Sequence, residues 1–454
     1  MRALPQGRSL LQDLKVTILS STTLYPSEKT ERRSMFLSNI DQVLNFDVET
    51  VHFFAANLEF PSTAVVERLS PALEKVLVPY DFLAGRLKVE PGDDGRLIID
   101  CNAAGVELVV ASSELKLEEV GDLECPNSAF RQLVAKNIPD NGLALEDRLL
   151  CSFQVTSFKC GGFALGICNN HITFDGLSFQ TFLQNLAAVA SNRPLATTPC
   201  NDRRLLAARS PPQVSFPHPE LITLQSIPHP NQHPPSTLLD SLSSYLHSHL
   251  FHLSPDDISA LKDKAKTSPP PAASSFNVAA AHLWRCKALA SSTRSSNKLS
   301  TVLYAVDLRS RLKPPLPRSY AGNAVLSAYA TAACSELEAG PFARIVELVY
   351  KGAERMTDEY ARSVIDWGQL NQGFPRGDVV VSSWLRLGFG EVEYPWGRPK
   401  HSFPVGNPQW DIILLFPASG KEGKGMNALV PLPTEDVEKF RSLFYKFLAR
   451  DVVN

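Results

Sequence analysis

The chain has 454 residues, of which 44% are hydrophobic and 20% charged, and its formal net charge is −2. This composition is typical of a globular protein with about two to three domains, and it excludes a disordered or collagen-like chain. A charge so close to zero provides no basic field for nucleic acid or for an anionic membrane. No charge-free apolar run of about 18 residues occurs, so the sequence predicts no membrane span.

The N-terminal segment and the cysteines both favour a cytoplasmic protein. Residues 1–16 contain no continuous apolar stretch and carry Asp13, which argues against a secretory or transit peptide. The cysteines form no CxxC pair, so we expect buried free thiols in a reducing compartment. The eight cysteines are Cys101, Cys125, Cys151, Cys160, Cys168, Cys200, Cys286 and Cys334.

Hydrophobic periodicity, proline breaks and capping residues predict five helices and two strands. Pro79 is expected to end the first helix, and Thr434 is expected to be the N-cap of the last one. The second helix has a predicted buried face of Phe179, Phe182, Leu183 and Leu186. The predicted helices cover 62–78, a stretch from Asp175 and Gly176, 255–266, 275–290 and a stretch from Thr434. The predicted strands cover 148–157 and 162–169, around the turn KCGG.

A proline-rich segment divides the chain. Eight prolines fall within 211–235, and neither a helix nor a central strand tolerates that density. We therefore predict a long crossover loop over 201–235 between an N-terminal lobe, 1–200, and a C-terminal lobe, 236–454. The alternation of strands and helices indicates a mixed α/β fold with two lobes of similar size.

The strongest local signal is the segment HITFDG at 171–176, which lies between a predicted strand and a predicted helix. A histidine at the end of a strand can point into a cleft, and its usual pKa near 6.5 suits proton transfer at neutral pH. The alternative is a core histidine followed by an aspartate that caps the next helix. Spacing alone favours this second interpretation.

Further segments occur in an order that resembles the plant BAHD acyltransferases, which use CoA thioesters. No single segment is specific, but the series covers nearly the whole chain. It consists of LSNID at 37–41, VPYDFLAGRL at 78–87, HITFDG, SSF at 274–276, AHLWRCKA at 281–288, VDLRSRLKPPLPRSYAGN at 306–323, VSSW at 381–384 and EYPWGRP at 393–399.

The resemblance implies chloramphenicol-acetyltransferase-like lobes, each a mixed sheet with flanking helices, and a substrate channel between them. It implies that His171 is the general base that deprotonates an alcohol or amine acceptor, which then attacks the thioester. Asp175 would hold the loop by pairing with Arg309. Ser382 and Trp384 would lie near the reacting carbonyl and stabilise the oxyanion, although Trp384 could equally be a buried strand residue.

For the nucleotide end of CoA, the resemblance points to the C-terminal lobe. Lys262, Lys264 and Lys266 precede a proline break, and Ser274 and Ser275 open the next helix, whose N-terminal N–H groups attract phosphate. A solvated lysine face is the alternative for each lysine. Acyl-CoA is expected as a co-substrate, with no permanent cofactor, no nucleic acid partner and a monomeric protein.

The chain departs from the family in its DFGWG motif, which here consists of Glu393, Tyr394, Pro395, Trp396 and Gly397. Proline fixes φ near −65°, whereas the glycine it replaces permits positive values, so we expect a different loop path. The motif is mostly structural in the family. The departure therefore concerns lobe geometry or CoA affinity more than the chemistry.

The acceptor is expected to be neither shikimate nor quinate. Transferases for those acids grip a carboxylate with an arginine upstream of the SSW-type serine, and Gln369 stands at that position here. Thr50 and His52 share a strand face where those enzymes place polar acceptor contacts. His52 either binds an acceptor hydroxyl or is structural. Asn323 is either a channel residue or part of a turn.

Three functions remain open at this point. The first is an acyl-CoA-dependent transferase that makes an ester or an amide from a donor such as hydroxycinnamoyl-CoA or benzoyl-CoA. The second is a repurposed family member that binds a small molecule or performs lyase or isomerase chemistry. The third is a peptide-synthesis condensation domain, although Asn170 stands where those domains have another histidine.

A metal site is not expected. Six histidines cluster in and after the crossover, but no cysteine or carboxylate frame accompanies them at ligand spacing. They are His218, His229, His233, His247, His249 and His252.

Overall fold

The computed structural model describes residues 12–92, 95–121, 123, 127–135, 144–224, 246–266, 273–292, 295, 297–405, 411–418 and 425–449. The chain forms two compact units, and each is built from three stretches of sequence. Unit 1 comprises Met1–Ala207, Pro317–Asn323 and Leu387–Gly406. Unit 2 comprises Ala208–Leu316, Ala324–Arg386 and Asn407–Asn454.

The strands in chain order are β1 Val16–Leu24, β2 Arg33–Phe36, β3 Asp47–Phe54, β4 Arg86–Val89, β5 Leu97–Cys101, β6 Val106–Ser113, β7 Cys151–Phe158, β8 Phe163–Asn170, β9 Leu221–Thr223, β10 Leu246–Leu253, β11 Leu299–Asp307, β12 Val325–Ala333, β13 Gly373–Pro375, β14 Val379–Ser383, β15 His401–Pro404, β16 Ile412–Pro417 and β17 Met426–Pro433.

The α-helices are α1 Asn39–Gln42, α2 Ser62–Val76, α3 Gly176–Ala190, α4 Pro255–Lys264, α5 Ser275–Ala290, α6 Cys334–Ala339, α7 Phe342–Glu354, α8 Asp358–Leu370 and α9 Val437–Leu448. Short 3₁₀ turns include Ser128–Leu133, Arg203–Leu206, Phe389–Glu391 and Thr434–Asp436.

Unit 1 contains a six-stranded mixed sheet in the order β1-β6-β7-β8-β3-β15. The pair β6 and β7 is parallel, and the other neighbours are antiparallel. Helix α2 contacts α3 and the sheet strand β7. On β3, Val51 and Phe53 join a buried cluster with Phe130 and Phe403. A smaller sheet, β2-β5-β4, completes the unit.

Unit 2 contains a second six-stranded mixed sheet in the order β10-β17-β16-β14-β11-β12. The pairs of β14 with β11 and with β16 are parallel. Helix α5 is buried along nearly its whole length, with Trp284 fully inside, and packs against α7 and α9. Two sheets, each with helices packed around it, confirm the predicted fold class.

The predicted helices and strands are present, with shifts at their ends. The first helix ends at Val76, two residues before the end predicted from Pro79. The strands predicted over 148–157 and 162–169 are β7 and β8. Thr434 is not an N-cap, because a 3₁₀ turn over Thr434–Asp436 precedes α9 and the cap residue is Asp436.

The units differ from the predicted lobes, because two stretches of the predicted C-terminal lobe, Pro317–Asn323 and Leu387–Gly406, lie in unit 1. The segment Glu393–Gly397 was assigned to the C-terminal lobe, but it lies in unit 1. The reason is strand pairing, since β15 follows this segment and pairs antiparallel with β3, with Ser402 opposite His52. Strand β15 therefore belongs to the sheet of unit 1, although it comes late in the sequence.

The start of the proline-rich segment is an ordered strap on α8. Arg209 donates through Nε to Asp366 at 2.6 Å and through Nη1 to Glu359 at 3.0 Å. The backbone N–H of Ser215 donates to the hydroxyl of Ser363 at 2.9 Å. The rest of the predicted crossover, from residue 225, lies outside the described residues, as does the proline break at 269–271.

Seven cysteines lie in the described residues, and all seven are free thiols. Cys125 lies outside the described residues. None of the helices in the described part of the chain combines the length and the apolar character that crossing a membrane requires.

Candidate active site

His171 directly follows the central strand β8. Its backbone N–H donates to the carbonyl of Phe46 at 2.7 Å, and its ring packs 5.1 Å from the ring of Phe46. Asn170, the last residue of β8, pairs with Asp47 of β3. Strand pairing therefore fixes the backbone of His171, and the residue as a whole is half-buried.

Asn323 determines which ring nitrogen of His171 carries the hydrogen. His171 Nδ1 lies 3.1 Å from Oδ1 of Asn323. The amide nitrogen of Asn323 donates to the carbonyls of His171 and Ile172, at 2.8 and 3.2 Å, and to Asp41 at 2.8 Å. These three partners are acceptors, so the amide oxygen faces the ring, and it too only accepts. Nδ1 therefore carries the hydrogen, and Nε2 presents a lone pair.

Burial keeps this imidazole neutral. Burial lowers the pKa of His171 below its ordinary value of 6.5. A hydrogen bond to its own backbone, the charge of Asp175, the bond to Asn323 and the charge of Asp41 act in the opposite direction, and burial outweighs them. A neutral ring with a free Nε2 is the form that accepts a proton.

Asp41 and Arg203 lie behind Asn323 and were not predicted as functional residues. Arg203 Nη1 donates to Asp41 at 2.8 Å, and both side chains are fully buried. Arg203 Nη2 donates to the carbonyl of Thr173 at 2.6 Å, inside the HITFDG segment. Asp41 belongs to the LSNID segment, but no local signal marks Arg203, because its partner lies 162 residues away in the chain.

Asp175 is the N-cap of α3, and its carboxylate accepts from the N–H of Ser178 at 2.9 Å. The next residue, Gly176, leaves room for the side chain of Leu387, since a Cβ at this position would lie 2.5 Å from it. Arg309, in unit 2, donates to Asp307 at 2.8 Å. The pairing of Asp175 with Arg309 stays a prediction.

Thr50 and His52 lie side by side on β3, and both are buried. Nε2 of His52 is 3.3 Å from the hydroxyl of Thr50, and its Nδ1 contacts the hydroxyl of Ser402. Burial lowers the pKa of His52 to about 4. Since both ring nitrogens have protein partners, the geometry favours the structural interpretation of His52 over an acceptor contact.

Pro395 fits the turn that the EYPWG segment forms. The N–H of Gly397 donates to the carbonyl of Tyr394 at 2.9 Å, so Pro395 occupies the second position of a tight turn, which proline favours. Gly397 has φ +108°, a value suited to glycine. Glu393 pairs with Arg398, and Trp396 is buried against Tyr394. The segment makes a regular turn despite the proline.

Ser382 and Trp384 lie in unit 2, at and just after the end of β14. Ser382 pairs with Leu414 of β16 and is half-buried. The backbone N–H of Trp384 donates to the carbonyl of Leu415 at 2.7 Å, so this donor is already used by the sheet.

Two of the residues predicted for CoA, Lys264 and Ser274, have structural partners of their own. Lys264 Nζ donates to the carbonyls of Phe447 and Ala449, at 2.9 and 2.6 Å, at the end of α9. Ser274 is the N-cap of α5 and accepts from the N–H of Asn277 at 3.0 Å, while Ser275 is the first helical residue. Lys262 lies on the last turn of α4.

Two of the histidines in and after the crossover have hydrogen-bond partners, and these lie in separate places. His218 Nε2 lies 2.9 Å from the hydroxyl of Ser363, and His252 Nδ1 lies 2.9 Å from Asn427. His229 and His233 lie outside the described residues.

Comparison with known proteins identifies the family. A model of the transferase family matches residues 14–447. The acyltransferase GLAUCE of Arabidopsis thaliana is 53% identical over 443 residues, which cover 96% of each chain. The omega-hydroxypalmitate O-feruloyl transferase of Arabidopsis thaliana is 32% identical, over 92% of this chain and 90% of the relative. The fatty alcohol:caffeoyl-CoA acyltransferase of Arabidopsis thaliana is 31% identical, over 95% of this chain and 98% of the relative.

A solved structure has the same fold. The crystal structure of vinorine synthase superposes with a TM-score of 0.71 at 23% identity, covering 94% of this chain and 98% of that one. The chain therefore belongs to the BAHD family of acyl-CoA-dependent acyltransferases, which confirms the predicted family and enzyme class.

Proposed function

We propose that this protein transfers an acyl group from a CoA thioester to an alcohol or amine, with Nε2 of His171 as the general base. The observation that carries the proposal is the contact of His171 Nδ1 with Asn323 Oδ1, which leaves Nε2 as the unprotonated nitrogen. Burial supports it, because a pKa held below 6.5 keeps the ring neutral at pH 7.

The reaction needs no covalent enzyme intermediate. Nε2 takes the proton of the acceptor as its oxygen or nitrogen attacks the thioester carbonyl, and a tetrahedral oxyanion forms. The oxyanion collapses, the C–S bond breaks, and the CoA thiolate leaves. A thiol with a pKa near 8.5 is a good leaving group, and it recovers the proton from the imidazolium. General-base assistance contributes about 10²- to 10⁴-fold.

The family resemblance suggests further substrate-binding residues. The hydroxyl of Ser382 is the candidate donor to the oxyanion, with Trp384 beside it, since donors placed where charge develops stabilise the transition state. Lys262 and the N-terminus of α5 at Ser274 and Ser275 are candidate contacts for the CoA phosphates. Lys264 is a weaker candidate, because it already binds two carbonyls.

The relatives suggest which substrates to test first. Two of them carry names that pair a feruloyl or caffeoyl donor with omega-hydroxypalmitate or a fatty alcohol. A hydroxycinnamoyl donor and an aliphatic hydroxyl acceptor therefore head the proposal, with benzoyl donors next. Gln369, in place of an acceptor-binding arginine, argues against shikimate and quinate.

A cytosolic monomer is the proposed physical state. The seven cysteines of the described residues are free thiols, which supports a reducing compartment, because oxidising compartments favour disulfides.

The test is a mass-spectrometric product screen with pooled acyl-CoAs and pooled alcohols and amines, run on the wild type and on His171→Ala. We expect an ester or amide product in the wild type and a rate at least about 10²-fold lower in the variant. His247→Ala, at an exposed position of β10, is the matched control and should retain the wild-type rate.

Two results would overturn the proposal. One is a product whose rate does not depend on His171. The other is acyl-CoA binding without any transfer product, which would favour the repurposed alternative. The regular turn around Pro395 removes the main structural reason for that alternative.

A further inference from the structure

A buried polar chain runs from Arg203 through Asp41 and Asn323 to His171. Arg203 contacts Asp41 at 2.8 Å, Asp41 contacts the Asn323 amide nitrogen at 2.8 Å, and the Asn323 oxygen contacts His171 Nδ1 at 3.1 Å. Asp41 and Asn323 are 0% exposed, and Arg203 is 2% exposed. The proposed chemistry gives Asp41 and Arg203 no role, although burying a charged pair is costly.

The polar side chains are arranged so that the ion pair contacts the amide of Asn323. Asp41 is held from its other side by Ser38, whose N–H and hydroxyl both contact Oδ2 at 2.8 Å. Its Oδ1 is thereby left to Arg203 and Asn323. Gly322 precedes Asn323, and a Cβ there would lie 2.6 Å from the guanidinium of Arg203. The glycine leaves room for the arginine, and the asparagine presents the amide.

An asparagine amide can face either way with almost the same shape, so its partners determine its orientation. A carboxylate paired with a guanidinium accepts hydrogen bonds and donates none. It therefore holds the amide nitrogen of Asn323 on its own side. If the amide turned over, its nitrogen would face His171 Nδ1 and favour the tautomer with hydrogen on Nε2, in which Nε2 cannot accept the proton of the acceptor.

We propose that Asp41 and Arg203 are positioning residues that act through the Asn323 amide to keep His171 in the Nδ1–H tautomer. The inference rests on the proposed function, since it matters only if Nε2 is the base. Neither residue touches substrate in this scheme. The ion pair acts together with the backbone carbonyls of His171 and Ile172 to set the orientation of the amide, and the amide selects the tautomer.

The test is Asp41→Asn, which keeps the shape of the side chain and removes the charge. We expect kcat to fall by about 10- to 100-fold, while KM for acyl-CoA stays within about twofold. In ¹⁵N-histidine NMR spectra, the signal that disappears in His171→Ala should show Nδ1–H in the wild type and a population of Nε2–H in Asp41→Asn. Arg203→Lys, which keeps a cation beside Asp41, should lose less activity than Arg203→Met.

The matched control is Asp81→Asn. Asp81 is also a little-exposed carboxylate of unit 1, paired with Arg33 at 2.7 Å, and it has no contact with Asn323 in the described structure. This variant should lose stability without losing kcat. If Asp41→Asn does not fold, the two Arg203 variants and their tautomer populations carry the test.

The inference is wrong if Asp41→Asn matches Asp81→Asn in kcat and keeps the wild-type tautomer while His171→Ala is inactive. That outcome leaves the proposed function standing and makes the ion pair purely structural. If His171→Ala remains active, the proposed function fails first, whatever Asp41→Asn does.

Discussion

The lowered pKa of His171 predicts how the proposed activity depends on pH. Because burial lowers its pKa below 6.5, the ring stays neutral to lower pH than an exposed histidine does. The base is lost when the ring is protonated, so activity should fall on the acid side only below pH 6.5. We expect kcat/KM at pH 6.5 to exceed half of its maximum.

The measurement is a series of initial rates from about pH 5 to about pH 8, with kcat/KM plotted against pH because it reports ionisations of the free enzyme. Uncatalysed thioester hydrolysis at each pH is subtracted. An acid limb with its midpoint above pH 6.5 would contradict the assignment of His171 as a buried neutral base.

At the scale of single residues, the sequence predicted His171 as a candidate base but did not predict the residues that lie behind it. HITFDG marks His171 only together with the other motifs of the series, and the GN pair marks Asn323 without the tautomer role proposed for it. Arg203 carries no mark. A buried arginine is recognisable only by the carboxylate it meets, and Asp41 reaches it through the tertiary fold rather than through local spacing.

At the scale of elements, Gly166 determines how closely β8 approaches the 3₁₀ turn Ser128–Leu133. A Cβ at Gly166 would lie 1.9 Å from the carbonyl oxygen of Leu133, which is backbone and cannot rotate away. Gly166→Ala should therefore force the turn and the strand apart and lower the free energy of unfolding by about 1–3 kcal/mol or more. Because β8 leads into His171, kcat should fall as well.

Denaturant titrations followed by circular dichroism measure this change, together with initial rates. Gly390→Ala is the matched control in unit 1, since a Cβ there meets nothing closer than Ser402 at 3.9 Å. The control should keep wild-type stability and activity. Equal stability of the two variants would mean that the close approach at Gly166 does not constrain the fold.

Local sequence patterns predicted where helices and strands lie better than they predicted which strands pair. Helices α2 and α3 appear in the sequence because one apolar face repeats at helical spacing. The return of β15 to the first sheet has no such signal, because its pairing with β3 joins residues about 350 positions apart, as His52 and Ser402 do. The 3₁₀ turn before α9 was missed because Thr434 is followed by acidic residues typical of a helix start.

At the scale of the whole molecule, the described residues of each unit include one fully buried histidine with a strongly lowered pKa. Burial lowers the pKa of His52, in unit 1, to about 4, and that of His282, in unit 2, to about 3. Both would regain a pKa near 6.5 on unfolding. Between these values the unfolded chain binds more protons than the folded one, so stability falls as pH falls below about 6.5.

Each histidine should therefore cost the folded protein about 2 kcal/mol between pH 7.5 and pH 5, and His171 adds to the effect in the same direction. Urea titrations at both pH values measure the loss. His52→Gln and His282→Gln should each reduce the pH dependence by about 2 kcal/mol, whatever they do to absolute stability, and the exposed His247→Gln is the control. If the units unfold in separate transitions, each variant should alter the pH dependence of its own unit alone. A pH dependence unchanged in both variants would show that these rings are protonated within the fold.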